Sequence, residues 1–220
     1  LNLLKTWNYT FISNSEYTKE RLKGWEIFSE VIYPYIDSSL LHNDVITEKK
    51  PIILSVGRFF PHLHTKRQDI VIEWFKVLKD EFEMFKDYSL ILAGSVLPED
   101  EEYLRMLKGM AYGRADIIFR TNIAFEEMRI LYNDATFYWH LAGWGIDEKI
   151  HPEAVEHLGI TPLEAMCSGV ITCAYNIGGP AEIVKHDKTG YLFNNQQELF
   201  EIMQDIQHDT EKQKKIQKEA

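Results

Sequence analysis

From Pro51 onward, short runs of apolar residues alternate with stretches whose apolar positions recur every three or four residues. The runs are IILSVG (52–57), YSLILAG (88–94), ADIIFR (115–120), ATFYWHL (135–141), GVITCAY (169–175) and GYLF (190–193). Between them the spacing predicts helices over 67–79, 99–110, 125–132 and 180–185, with more helix at the C-terminus. The runs are nearly unbroken in their apolarity, as expected of parallel strands covered by helices on both faces. Six such runs in β-α alternation predict an α/β fold, a Rossmann-like doubly wound parallel sheet with right-handed crossovers. Ligands of such sheets sit at the carboxyl ends of the strands, so the loops after Gly57, Gly94, Arg120, Leu141 and Tyr175 are the candidate site walls.

Ahead of this region, the pattern predicts a strand from Tyr9 to Ile12, a turn at Ser13-Asn14-Ser15 and a helix from Glu16 to Lys23. An extended run follows, Glu30 to Pro34, which the proline ends. Asp37 to Lys50 has turn and charge character and reads as a linker. The chain starts mid-pattern without a methionine, and is expected to be a fragment of a longer protein.

Between the fourth and fifth runs lies HPEAVEHLGITPLEAMCSG (151–169). Thr161 reads as a helix N-cap, Pro162 as the first helical residue and Glu164 as the third, a capping-box sequence that Ser168-Gly169 closes. Leu163, Met166 and Cys167 are expected on its inner face. Glu156 precedes the break at Gly159, so it belongs to a loop, and the two carboxylates can converge on a ligand at the helix N-terminus. There the amides of Ile160, Thr161 and Leu163 are expected to lack carbonyl partners, which favours an anion by ~0.3–2 kcal/mol. Gly159 lets a ligand approach the backbone. The competing reading is local: Thr161 and Glu164 only cap the helix, and Glu156 is solvated.

A formal net charge of -10 with a pI of about 5.3 argues against a nucleic-acid surface, so any anion site must be built locally. No apolar run approaches the ~20 residues of a membrane span. Cys167 and Cys173 sit among apolar residues and read as small core side chains of a reducing compartment. The motifs G-x-G-x-x-G, G-x-x-x-x-G-K-[ST] and G-x-S-x-G are all absent, which removes the usual dinucleotide, P-loop and α/β-hydrolase readings. After the first run, Arg58 leaves the strand and Lys66 closes the same loop; two cations there could grip a diphosphate, or else be solvated or paired with surface acids. His62 and His64 lack further ligands at metal-site spacing. His140 and His157 flank the insertion 143–149, which reads as a mobile loop over the cleft, and each serves either structure or substrate contact. Gly178-Gly179-Pro180 opens another helix whose amides could meet a sugar or phosphate.

Taken together, SVGRFF with Lys66, ILAGS, the Glu-x7-Glu run EHLGITPLE, AMCSG, and GGPAEIV with KTGYLF resemble the retaining, nucleotide-sugar-dependent glycosyltransferases of family 4, which have the GT-B fold. The pieces occur in the family's order over roughly residues 50–200, and the longer forms are similar to transferases of bacterial polysaccharide or glycan assembly. The resemblance implies that residues 1–36 are a remnant of an N-terminal acceptor domain, 37–50 a linker, and 51–220 the nucleotide-sugar-binding C-terminal half. It implies that Arg58 and Lys66 hold the donor diphosphate, that Glu164 takes the ribose hydroxyls, and that the amides of Gly159, Ile160 and Thr161 meet phosphate or sugar oxygens. Glu156 would be the catalytic carboxylate facing the transferred sugar, and Asn122 would belong to the base-contacting loop, although Thr121 stands where the family often has glycine. The implied reaction is retaining transfer from a UDP- or GDP-sugar to a glycan or lipid-linked acceptor, with neither metal nor other cofactor and no nucleic-acid partner. This fragment is expected to be inactive without its N-terminal domain. The expected location is the cytoplasm, with peripheral contact at the inner face of a membrane left open for the complete enzyme. The alternatives are a non-catalytic nucleotide-sugar-binding module and a sugar-nucleotide epimerase or phosphorylase of related fold.

Overall fold

The computed structural model describes residues 9–40 and 49–220. Six parallel strands form the sheet: β3 (Lys50–Val56), β4 (Ser89–Gly94), β5 (Ile117–Thr121), β6 (Ala135–His140), β7 (Ile171–Tyr175) and β8 (Tyr191–Phe193), in the order β5-β4-β3-β6-β7-β8. All six predicted runs are present, with ends shifted by one or two residues. The chain winds outward from β3 through β4 to β5, then returns to β6 on the other side of β3. That reversal opens a crevice at the carboxyl ends of β3 and β6, the position where doubly wound sheets take ligands.

The unbroken apolarity of the strands follows from two cores. Ile53, Leu90, Leu92, Phe137 and Trp139 enter one cluster, while their neighbours Leu54, Ile91, Ala93 and Tyr138 enter the other. Successive side chains point to opposite faces, and helices cover both. The first face is covered by α2 (Gln68–Glu81), α3 (Glu101–Met110), α7 (Gln196–His208) and α8 (Thr210–Glu219). The second is covered by α4 (Phe125–Asp134) and α5 (Ile160–Cys167). In α2, Val71, Ile72, Phe75 and Leu78 are fully buried at helical spacing, which fixes the loop that precedes them.

The N-terminal segment forms a βαβ unit of its own. Strand β1 (Phe11–Ser13) pairs in parallel with β2 (Ser29–Val31), and α1 (Glu16–Lys23) lies between them in sequence. Ser15 caps α1 by accepting from the Thr18 amide at 3.0 Å. The linker expectation for 37–50 falls largely on residues 41–48, outside the described residues. At its edges Ser38–Leu40 form a 3-10 turn with Leu40 buried, and Lys50 already belongs to β3. Helix α6 (Gly178–Ile183) begins two residues before the predicted 180, because the two glycines are part of its first turn.

Candidate functional site

Two loops meet in the crevice. The loop from Gly57 to Arg67 brings Lys66, whose stem lies over Gly57 so closely that a methyl group there would overlap Lys66 Cγ. The loop from Leu141 to Gly159 brings Glu156, between Val155 and Leu158, both buried. Lys66 Nζ and Glu156 Oε2 form a direct ion pair, each side chain only 18% exposed. Burial acts most strongly and raises the Glu156 carboxyl, but the charge and hydrogen bond of Lys66, with His140 and His64, together outweigh it and the net shift is downward. Behind the pair stands His140 at the end of β6, 2% exposed, with Nε2 3.8 Å from the same Glu156 oxygen. Burial, and then the Lys66 charge, push its imidazole down to about 3, so it is neutral near pH 7.

Helix α5 starts differently from the capping-box expectation. Gly159 is its N-cap, at φ 96°, a left-handed conformation that suits glycine, and no side chain caps the helix. Thr161 therefore turns to the sheet and Glu164 to α4. The Tyr138 hydroxyl donates to Thr161 Oγ1 at 2.8 Å, and the Tyr132 hydroxyl donates to Glu164 Oε2 at 2.8 Å. Burial raises the Glu164 carboxyl, with Tyr132 opposing. The Leu163 amide is also corrected: it donates to Gly159 O at 3.3 Å within the first turn. Ile160 and Thr161 amides remain at the open end, where a helix of this register has no carbonyl to offer. Cys173 is buried as expected, whereas Cys167 is only partly so.

Arg58 is exposed, and it is paired with a buried acid. Its Nε and Nη2 donate to Asp100 Oδ2 at 3.1 and 2.8 Å, Asp100 is 4% exposed, and the guanidinium sits 4.4 Å over the Phe60 ring. Asn122 lies on the far side of β4 at φ 53°, with its side-chain amide occupied by Val96: Oδ1 accepts from Val96 N at 2.9 Å, and Nδ2 donates to Val96 O at 3.3 Å. The structure thus brings Lys66, Glu156, His140 and the start of α5 together, with Glu164 one layer behind, and holds Arg58 and Asn122 through their own partners.

Three sequence readings change. Gly179 N–H donates to Glu156 O at 2.8 Å, and a methyl at Gly179 would overlap the Leu158 Cα and the His157 carbonyl oxygen. The glycine pair therefore supports the Glu156 loop with its backbone. The insertion 143–149 is anchored: Arg67 Nη1 donates to Trp144 O at 2.6 Å, and Trp144 packs on Trp74 and Tyr175 at 4.7 and 5.0 Å. His64 Nδ1 lies 2.9 Å from Val155 O and so braces the same loop. Sequence reasoning missed Asp100, Tyr132, Tyr138 and Arg67, whose roles rest on contacts between distant segments.

The chain belongs to the family described as glycosyl transferases group 1, which it matches over residues 40–220. It is 28% identical to the human GDP-Man:Man(3)GlcNAc(2)-PP-Dol alpha-1,2-mannosyltransferase, with 94% of this chain and 43% of that protein aligned. It is 29% identical to the alpha-1,3/1,6-mannosyltransferase ALG2 of Rhizomucor pusillus, over 74% of this chain and 41% of that protein. The chain thus spans about two fifths of the length of these relatives. Among solved structures, the Anabaena HepE protein in complex with UDP and glucose superposes with a TM-score of 0.79 at 20% identity, covering 99% of this chain and 58% of that one. The C-terminal domain of a group 1 glycosyl transferase (LpcC) from Francisella tularensis gives 0.60 at 20% identity, covering 78% and 83%. The fold is the Rossmann-like doubly wound sheet of the C-terminal half of GT-B glycosyltransferases.

Proposed function

We propose that residues 51–220 bind a nucleoside diphosphate sugar for a retaining glycosyltransferase, and that residues 1–36 belong to the acceptor-binding half of the complete enzyme. The observation that carries this reading is the Lys66–Glu156 pair beside the open amides of α5, at the sheet's point of reversal. In the reaction, the bond between the anomeric carbon and the diphosphate oxygen breaks, and a bond to an acceptor hydroxyl oxygen forms on the same face. The acceptor's proton passes to the departing diphosphate. Negative charge grows on that diphosphate, where Lys66, the Ile160 and Thr161 amides, and the Arg58 Nη1 that Asp100 leaves open can meet it. Preorganised charge of this kind is usually the largest catalytic contribution, and it supplies what a metal would otherwise provide. Glu156 faces the sugar and stabilises its developing positive charge; Glu164 takes the ribose hydroxyls.

The named activities of the curated relatives favour GDP-mannose as donor and a lipid-linked glycan as acceptor. No helix among the described residues is long and apolar enough to cross a membrane. The lipid-linked acceptors named for the relatives support peripheral contact of the complete enzyme at the bilayer that carries such an acceptor. Titration calorimetry with GDP and UDP tests the donor site. Lys66→Ala should weaken diphosphate binding roughly ten- to hundredfold, the worth of one hydrogen bond to a charged group. Glu156→Ala should abolish transfer while leaving nucleotide affinity within about threefold. Full transfer by both variants would overturn the assignment.

A further inference from the structure

His140 Nε2 is fully buried and makes no hydrogen bond among the described residues. Its ring stacks on Tyr138, centroids 6.2 Å apart at 18°, and its Nδ1 lies 3.4 Å from the Tyr138 hydroxyl. Nε2 points at Glu156 Oε2, 3.8 Å away, the same oxygen that Lys66 holds. A neutral imidazole carries one proton. The Tyr138 hydroxyl gives its one proton to Thr161 Oγ1, so Nδ1 has only a long 3.4 Å contact, whereas Nε2 faces a carboxylate, which can only accept. The Nε2–H tautomer is the one that sets a donor against the carboxylate.

An unpaired buried nitrogen is costly, so a state in which it finds its partner is favoured when one is within reach. A diphosphate that draws Lys66 away strips Glu156 Oε2 of its cation and leaves His140 as the next donor. We propose that His140 is a positioning residue which takes over Glu156 when the donor diphosphate claims Lys66, holding the carboxylate toward the sugar without cancelling its charge. Lys66 alone cannot do both tasks, because an ammonium paired with Glu156 neutralises the charge that the sugar needs. The inference rests on the donor-site reading above.

Two measurements test it in the complete protein. Long-range ¹⁵N–¹H spectra of the histidine rings, with His140 assigned by its loss in His140→Gln, should show the Nε2–H tautomer. In Lys66→Ala, with no ligand added, that proton should move downfield as Glu156 turns to it. An Nδ1–H tautomer, or an unmoved Nε2–H in Lys66→Ala, overturns the proposal. This arm needs no nucleotide, so failure of GDP and UDP to bind would sink the donor-site reading while the spectra still decide the role of His140. In a transfer assay with GDP-mannose, His140→Phe should lower kcat roughly ten- to hundredfold with little change in donor KM, the cost of one charged-group hydrogen bond. His140→Gln, which offers an amide N–H near the Nε2 position, should recover most of that loss. Equal kcat for the two variants would mean that His140 only fills space, and would overturn the proposal.

Discussion

Acid is the perturbation that isolates His140 most cleanly. Its imidazole is pushed down to about 3 by burial and by the Lys66 charge, with Glu156 opposing; Tyr138 is the remaining titratable group against the ring. An unfolded histidine titrates near 6.5. Below that pH the unfolded chain binds a proton that the folded ring refuses. The stability tied to His140 is therefore fully present above about pH 6.5 and drains away as the pH falls toward 3, at a slope approaching 1.4 kcal/mol per pH unit. Integrated from pH 7 to pH 5 the loss is about 2 kcal/mol, a large part of an ordinary folding free energy of 5–15 kcal/mol. In that window carboxylates with depressed values, such as Glu156 and Asp116, stay ionised and contribute little. His157, also lowered by burial and by His64, contributes in the same direction but is common to every variant compared. Urea denaturation of the wild type and His140→Gln at pH 7, 6 and 5 reads the difference. The wild type should lose about 2 kcal/mol more than the variant across the range, whatever their offset at pH 7. Parallel losses would show that the ring is hydrated or charged in the folded protein, and the neutral-donor argument would fall with it.

Three further substitutions test the scaffold. Gly179→Ala puts a methyl group into the backbone of His157 and Leu158, which cannot yield cheaply, and should destabilise by about 1–3 kcal/mol and weaken nucleotide binding with it. Gly109→Ala in α3 meets nothing within 4 Å and should instead raise the melting temperature; a matching fall in the two variants would refute the packing argument. Glu182 accepts from the amides of Glu16 and Tyr17 at 3.0 and 2.8 Å and from the Tyr33 hydroxyl, so Glu182→Ala should loosen α1 by about 1–2 kcal/mol. Faster tryptic cleavage at Arg21 and Lys23 is the expected readout, and an unchanged rate would count against the latch.

Most of the sheet was legible because burial on both faces leaves an unmistakable mark: runs such as Ile52-Ile53-Leu54 have no polar alternation to confuse them with surface strands. Helix starts were less legible where a tertiary contact overrides a local rule. Thr161-x-x-Glu164 has the letters of a capping box, yet Tyr138 and Tyr132 compete for both side chains and Gly159 turns the chain without a cap. The same limit applies to the charges. Lys66 and Glu156 were both singled out, but their pairing spans 90 positions, and the Arg58–Asp100 contact spans 42. No spacing rule reaches that far. His140 carried no assignable role from sequence, because its meaning lies in its enclosure and in the direction of one nitrogen.

Those pairings change how the site must work. In a chain of net charge -10, a bare cluster of cations would attract the protein's own acids, and each cation proposed to hold the donor already has one: Glu156 for Lys66 and Asp100 for Arg58. The two differ in kind. Asp100 is buried and holds its arginine by two nitrogens of the guanidinium, which fixes the group while leaving Nη1 to face a ligand. Glu156 holds Lys66 by one oxygen, at the mouth of the crevice, and has a second donor waiting behind it. On the proposed donor-site reading, binding of a diphosphate is an exchange of partners and not the filling of an empty positive pocket. Little net desolvation of the ammonium is required, since one anion replaces another, and the carboxylate is released at the moment a sugar arrives beside it. An arrangement in which the cation is pre-paired with the proposed catalytic carboxylate would keep both groups inert until the ligand that needs both is present.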